Sequence, residues 1–222
     1  CGRYSLITDI EDLEQRFSFH GEGLPKNIRF NIAPTQDILT ITNDGFLNQG
    51  QMMRWGLIPY WSQDMRMASR MINARSETLE QRNAFRQSLL RRRCLILADG
   101  FYEWTRNGNK KIPMRIKLRS GEPFGLAGLW DTWKSTDGTI VKSCTIVTTE
   151  ANEFIAPIHN RMPVIINEEF EETWLDINNQ DIKSLKGLLS PYKSDEMEAY
   201  EIPTLVNSPR NDSFEIIARV NS

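Results

Sequence analysis

The sequence has 222 residues, with 27 Lys and Arg, 29 Asp and Glu, two His and three Cys. Its content of 40% hydrophobic and 25% charged residues is ordinary for a globular protein and argues against a fibrous or disordered chain. No apolar run approaches the roughly 20 residues that a membrane-spanning helix needs. No secretory signal pattern opens the sequence, so we expect a cytoplasmic protein with no membrane partner.

Taken in chain order, the apolar spacing predicts short elements of both kinds. A capping-box pattern at Thr8-Asp-Ile-Glu11 predicts a helix over about 8–19. Asn43-Asp-Gly45 predicts a hairpin turn after a strand over 38–42. The remaining predicted strands are 94–104 with a break at Asp99-Gly100, 112–118, 124–129, 143–149, 199–202 and 214–218, and the remaining predicted helices are 79–90, 170–177 and 181–189.

Many short strands with few helices are typical of an α+β fold. We expect a single domain over residues 1–222, built around a mixed, barrel-like β-sheet with flanking helices. No internal repeat and no Gly/Ser linker divides the chain.

The cysteines indicate neither a disulfide framework nor a metal site. Cys1, Cys94 and Cys144 form no CxxC pair, and only His20 and His159 could assist them as ligands. A structural zinc site is therefore not expected. We predict no metal and no cofactor.

The net charge of −2 conceals an uneven distribution. Residues 51–120 contain 15 Lys and Arg against 5 Asp and Glu, whereas the rest of the chain contains 12 against 24. Aromatic residues are interleaved with the arginines of this basic segment, a composition typical of a groove that binds single-stranded nucleic acid. The alternative is that the arginines form a solvated face and the aromatics belong to the core.

The first residue offers unusual chemistry. If Cys1 is the mature terminus, exposed by removal of an initiator Met, it carries a thiol and a free α-amine on adjacent carbons. Groups of these two types are each partly deprotonated near neutral pH. The thiolate could attack an acyl carbon with the amine as base, or the amine could condense with an aldehyde and the thiol close a thiazolidine ring. The alternative is that the sequence begins at a Cys by coincidence.

Four short segments carry further candidate polar groups. Asn31 precedes a rigid turn, where an amide either positions an oxygen or caps the turn. Asn73 and Arg75 share a side if their segment is extended, although an Arg–carboxylate pair is also open. Glu103 lies between two aromatics in an apolar run, which favours a general acid/base or a salt-bridged carboxylate. His159 lies in a loop bracketed by prolines, which favours function over a purely structural imidazole.

Six segments, in this order, resemble the SOS-response-associated peptidase (SRAP) family, which forms covalent links to abasic sites in single-stranded DNA. The matching segments are Cys1-Gly-Arg-Tyr4, Asn31-Ile-Ala-Pro34, Trp55-Gly-Leu-Ile-Pro59 with Trp61, Ile72-Asn-Ala-Arg-Ser-Glu-Thr78, Ala98-Asp-Gly-Phe-Tyr-Glu-Trp104 and Ile158-His-Asn-Arg-Met-Pro163. The ordered set is highly specific, and it covers most of the chain.

The resemblance implies a role for each matching residue. Cys1 would capture the sugar aldehyde, Asn73 would polarise the sugar oxygen, Glu103 would shuttle protons, and His159 would assist the site and its reversal. The same four residues would serve peptidase activity or self-removal of an initiator Met. The residues implied to contact DNA are Asn31, Pro34, Trp61, Arg75 and Arg161.

One departure and two rival functions stay open. The family often has two consecutive Trp residues where this chain has Trp61 followed by Ser62, so Tyr60 is the alternative for unstacking a base. A Cys N-terminal-nucleophile amidohydrolase or peptidase is the first rival function, and a non-covalent single-strand binder is the second. The expected partner is single-stranded DNA with an abasic site, with nucleoid association when bound, and no protein partner is predicted.

Overall fold

The structure, a computed structural model, describes residues 1–26 and 28–220. The β-strands are β1 (Tyr4–Leu6), β2 (Arg29–Ile32), β3 (Asp37–Asn43), β4 (Asn48–Trp55), β5 (Asn73–Arg75), β6 (Arg93–Ala98), β7 (Gly100–Asn107), β8 (Lys110–Leu118), β9 (Phe124–Lys134), β10 (Ile140–Glu150), β11 (Arg161–Pro163) and β12 (Met197–Glu201). The α-helices are α1 (Ile10–Phe17), α2 (Asn83–Arg91), α3 (Glu171–Leu175) and α4 (Ile182–Gly187). Over these residues, no helix is both long and apolar enough to cross a bilayer.

Five strands close into a barrel. Around the barrel the order is β10, β4, β3, β6 and β9, and β9 pairs with β10 again. The β4–β10 pair is parallel, whereas the other four pairs are antiparallel. The barrel packs large side chains that have no exposed surface, among them Ile41, Trp55 and Leu126. The predicted α+β fold with a mixed, barrel-like sheet is therefore confirmed.

A second sheet carries the N-terminal segment. Its order is β12, β8, β7, β1 and β2, with antiparallel pairs throughout. The predicted break at Asp99-Gly100 is where the chain leaves the barrel at β6 and enters this sheet at β7. Gly100 is required there because a Cβ at this position would lie 2.8 Å from Nε of Arg115. The turn between the two sheets thus fixes where β1 can pair.

A buried ion pair joins β8 to the same turn, and a hydrogen bond joins β1 to it. Asp99 lies 3.1 Å from Nη2 of Arg115, and both side chains are almost fully buried. The Asp99 carboxylate also accepts hydrogen bonds from the Ser5 hydroxyl at 2.8 Å and the Thr8 backbone N–H at 3.1 Å. These bonds hold β1 and the start of the segment that follows it against the turn.

Strand β10 is the common neighbour of the remaining short strands. β5 pairs with β10 in parallel, with Asn73 opposite Ile146 and Arg75 opposite Thr148. β11 pairs with β10 in antiparallel, with Pro163 also opposite Thr148. One strand therefore brings the 73–75 and 161–163 segments side by side.

Two local predictions are wrong. The capping box does not form, because α1 begins at Ile10 without a side-chain cap at Asp9, and the Thr8 hydroxyl donates to Asp99 instead. Residues 214–218 are not a strand, since Phe214–Ile217 is a turn of 3-10 helix. Its consecutive residues Ile216 and Ile217 are both buried, which an alternating strand on one apolar face does not allow.

Candidate active site

The pairing of β1 with β7 brings the start of the chain against a carboxylate. Tyr4 lies opposite Phe101, and the Tyr102 backbone N–H donates to the Arg3 carbonyl at 2.9 Å. This register places the α-amine of Cys1 3.2 Å from Oε1 of Glu103, with the two side chains 0% and 8% exposed. The amine and the carboxylate therefore form a buried ion pair, in which Oε1 makes no hydrogen bond over the described residues.

The Asn73 side chain reaches the same residue from the other sheet. Its Nδ2 donates to the Cys1 carbonyl at 2.8 Å. Its Oδ1 is buried and finds no hydrogen-bond partner in the described part of the chain. A buried acceptor without a donor costs about 1–3 kcal/mol. Asn73 Oδ1 is thus available to a hydroxyl or amine of a ligand.

The thiol of Cys1 differs from the other two thiols in its surroundings. Its Sγ lies 3.5 Å from the Arg3 carbonyl oxygen, to which it donates. Burial in the barrel raises the pKa of Cys94 and that of Cys144 well above the ordinary range for a thiol. Because the thiolate is the reactive form, those two thiols are poor nucleophiles at neutral pH. Cys1 alone combines a thiol with a contacting acid/base group.

A cationic groove opens beside Asn73. It has a volume of about 350 Å³ and is lined by residues that include Asn73, Arg70, Arg75 and Arg82. These three arginines are exposed, and none forms an ion pair within residues 1–26 and 28–220. We call this feature the arginine groove. Its free guanidinium groups suit bidentate contacts with phosphate.

His159 and Arg161 lie at the neighbouring end of β10. The Arg161 backbone N–H donates to Nδ1 of His159 at 3.1 Å, which leaves Nε2 as the ring nitrogen open to a ligand. Arg161 donates to both carboxylate oxygens of Glu77 and, at 2.7 Å, to the Thr148 carbonyl. The hydrogen bond from Arg161 lowers the pKa of Glu77. Over the described residues, His159 makes no hydrogen bond to Cys1.

The Asn31 side chain is turned inward. It has no exposed surface, and its Oδ1 accepts from Nη1 of Arg3 at 2.8 Å. Its Nδ2 donates to the carbonyls of Val206, Ser208 and Asn211, at 3.3, 3.0 and 2.7 Å. All its polar groups are therefore occupied by the chain itself, and the arrangement favours a role in positioning Arg3 over a direct DNA contact.

The aromatic residues divide between core and surface. Trp55 is fully buried, whereas Trp61 is 48% and Tyr60 is 61% exposed. Trp61 and Tyr60 line an open groove of about 460 Å³ together with Arg86. Pro34 is half-buried in a turn. Two rings and a cation are thus available to a flat ligand such as a base.

The family assignment agrees with this geometry. The family model described as SOS response associated peptidase (SRAP) matches residues 1–209. The chain belongs to the SRAP family. It is 47% identical over 223 residues to the abasic site processing protein YoqW of Bacillus subtilis, an alignment that covers 98% of each chain.

More distant relatives share the same framework. The SRAP chain is 32% identical over 192 residues to the abasic site processing protein HMCES of Gallus gallus, covering 76% of this chain and 56% of that protein. A crystal structure of a protein from Bacteroides thetaiotaomicron superposes with a TM-score of 0.89 at 25% identity, covering all of both chains.

Sequence reasoning missed some residues of this SRAP site and overcounted others. Glu77 was not singled out, although it lies in the matching segment that contains Asn73. Arg93 and Arg115 belong to the basic segment, but both are buried. Arg93 donates to three backbone carbonyls, and burial lowers its pKa to about 10. Asp99 and Glu103 of the same segment are also buried, so the excess of positive charge among its unburied residues is unchanged. In the described chain, no cluster of three or more His, Cys, Asp or Glu could hold a metal ion.

Proposed function

We propose that this SRAP chain reacts covalently with abasic sites in single-stranded DNA through the amine and thiol of Cys1. The observation that carries the proposal is the contact between the Cys1 amine and Glu103, at 3.2 Å, with Asn73 on the Cys1 carbonyl. The names of the relatives, abasic site processing proteins, support the substrate. The arginine groove supports a polyanion over a small amide.

The reaction balances without an oxidant or reductant. The Cys1 amine forms a bond to the aldehyde carbon of the ring-opened sugar, and the carbonyl electron pair moves to oxygen. The resulting hydroxyl takes up a proton and leaves as water, which gives an imine. The sulfur then bonds to the same carbon while the C=N electron pair returns to nitrogen, and the thiol proton ends on that nitrogen. The product is a five-membered thiazolidine.

Ring closure explains why the strand would stay intact. An imine or iminium at the sugar promotes β-elimination of the phosphate, because it withdraws electrons from the neighbouring carbon. The thiazolidine has no such double bond. The predicted outcome is therefore protection of the lesion rather than strand cleavage.

The proposed proton transfers follow from the contacts. Glu103 takes a proton from the Cys1 ammonium and returns it to the departing hydroxyl, as a general acid/base does. Asn73 Oδ1 accepts from a sugar hydroxyl, which would give this buried atom its missing partner. We assign to His159 Nε2 a supporting role in the same transfers and in reversal.

We further propose a path for the DNA backbone. Arg75 binds phosphate directly, and Arg161 does so by exchanging the Glu77 carboxylate for a phosphate of similar geometry. Trp61 stacks on or wedges between bases, and Pro34 shapes the pocket. Asn31 contributes by holding Arg3, two residues from the nucleophile.

The test is the mass of the product with a single-stranded oligonucleotide that contains one abasic site. We expect a denaturation-resistant adduct equal to protein plus DNA minus one water, and no adduct with undamaged DNA. Cys94→Ala is the matched control, because it removes a thiol that the proposal does not use. Cross-linking by Cys1→Ser and by N-terminally blocked protein at the wild-type rate would sink the proposal.

The same experiment separates the rivals. Glutamine-amide turnover without any adduct would point to the amidohydrolase. Retention of undamaged and abasic strands alike, without an adduct, would point to a non-covalent binder.

A further inference from the structure

We propose that the tip of the β7–β8 hairpin binds the phosphate backbone of the single strand beside the lesion. The tip comprises residues 106–111, and we call it the cationic tip. It would hold the strand on the opposite side of Cys1 from the arginine groove. This inference rests on the proposed function, because it adds a second DNA contact to the same site.

The first observation is an unfavourable arrangement of charge. Arg106 lies directly opposite Lys111 in the β7–β8 pair, and Asn107 lies opposite Lys110. Like charges at directly opposed positions destabilise a hairpin. All six residues of the tip are exposed. The cations Arg106, Lys110 and Lys111 therefore do not stabilise the fold, whereas they would stabilise a bound anionic ligand.

The second observation is that these cations have no acidic partner. Within the described residues, none of the three forms an ion pair with a carboxylate. Farther along the same strand, Arg115 pairs with Asp99 and Lys117 pairs with Glu198. The neutralised cations of β8 thus lie in the body of the sheet, and the free ones lie at its tip.

The third observation is the position of the tip relative to the nucleophile. β7 contains both Glu103, which contacts the Cys1 amine, and Arg106, three residues farther on. Three residues of strand span about 10 Å. The alternation of side chains places Lys110 on the same face as Glu103, and Arg106 on the opposite face. The tip is therefore a rigid extension of the catalytic strand with positive charge on both faces.

An aromatic ring accompanies the charge. Trp104 is half-buried beside Arg106 and is fixed by a hydrogen bond from its Nε1 to Oδ1 of Asn207 at 2.8 Å. Cations interleaved with aromatic rings are the usual surface for single strands. Single-stranded DNA is flexible enough for its phosphates to contact the cations while a base contacts the Trp104 ring.

The elements that carry the two cationic surfaces both contact Cys1. Asn73 joins the Cys1 carbonyl to the arginine groove, and Glu103 joins the Cys1 amine to the cationic tip. A strand with its abasic sugar at Cys1 would thus place one flank in the groove and the other along the hairpin.

The test uses the triple variant Arg106→Ser/Lys110→Ser/Lys111→Ser and fluorescently labelled strands. We expect the slope of log K against log salt for undamaged single strands to become shallower by about 2, since each lost phosphate contact removes about 0.7. The thermal midpoint should not fall, because the like-charge pair is gone. The control Arg119→Ser/Lys134→Ser/Lys183→Ser changes the net charge equally and removes three exposed cations that form no ion pair over the described residues and belong to neither cationic surface.

Two further arms locate the contact. Two abasic oligonucleotides are compared, one extended only on the 5′ side of the lesion and one only on the 3′ side. The triple variant should cross-link one of them more slowly than wild type does, and the other at the wild-type rate. A wild-type salt slope, equal effects on both strands, or the same loss in the control variant would overturn the cationic tip. If wild type forms no adduct but the salt slope changes as expected, the proposed covalent function fails, and the tip is supported only as a contact for single strands in general.

Discussion

Replacing Asp99 with Asn should destabilise the protein severely, although the Asp and Asn side chains have the same shape. Asp99 and Arg115 are 4% and 6% exposed, so the substitution leaves a buried guanidinium without its counter-charge. Breaking a buried pair in this way costs about 3–5 kcal/mol. For a chain of this size, each kcal/mol lowers the thermal midpoint by about 2–4 °C. We therefore expect a fall of the order of 10 °C.

The effect is measured by urea unfolding of Asp99→Asn, followed by circular dichroism. A second substitution, Arg115→Met, removes the orphaned charge and should recover part of the loss, because apolar replacement of a whole buried pair is often tolerated. The two substitutions are then non-additive, as expected for contacting residues. A loss below about 1 kcal/mol, or a double variant as unstable as the sum of the single variants, would refute this account.

Two smaller predictions concern the turn after Pro34 and the Glu77–Arg161 pair. Thr35 has a φ of 74°, a conformation that costs a residue with a side chain about 1–2 kcal/mol. Glycine removes this strain but loses more backbone entropy on folding. Thr35→Gly should therefore raise the free energy of unfolding by up to about 1 kcal/mol. A lower urea midpoint for that variant would contradict the strain. Because Arg161 lowers the pKa of Glu77, the pair stabilises the fold above about pH 4.3, the ordinary Glu value, and its contribution is lost as the pH falls through the lowered value. Wild type should therefore exceed Glu77→Gln in stability at pH 7 by under about 1 kcal/mol, since Glu77 is half-exposed, and the difference should vanish near pH 2; a constant difference would count against the pair.

Local pattern was enough to predict one hairpin turn and the break between two strands. The Asn43-Asp-Gly45 turn and the interruption at Asp99-Gly100 both depend on a few adjacent residues, and both occur where the sequence indicated. The sequence could not tell that the strands on either side of Asp99 belong to different sheets. That separation depends on long-range strand pairing, since β6 pairs with β3 and β9 whereas β7 pairs with β1 and β8.

The candidate site shows the same limit. The resemblance named Cys1, Asn73 and Glu103, but the contacts among them depend on two separate sheets. Asn31 was expected at the DNA, yet its amide is bonded to carbonyls about 175 positions later in the chain, which no local pattern reveals. Arg115 shows that a charge count does not locate the charges, since a guanidinium in a buried ion pair and one in solvent are the same residue type.

Because the Asn73 segment pairs with β10, the site can assemble only after β10 has been synthesised. Cys1 and Asn73 are separated by 71 intervening residues, and both leave the ribosome long before Ile140–Glu150, the strand on which the Asn73 segment pairs. Until β10 has been synthesised, Cys1 of the nascent chain lacks the Asn73 contact. A ribosome-stalled fragment that ends before residue 140 therefore contains Cys1, Asn73 and Glu103 and still lacks the strand that brings the Asn73 segment to Cys1.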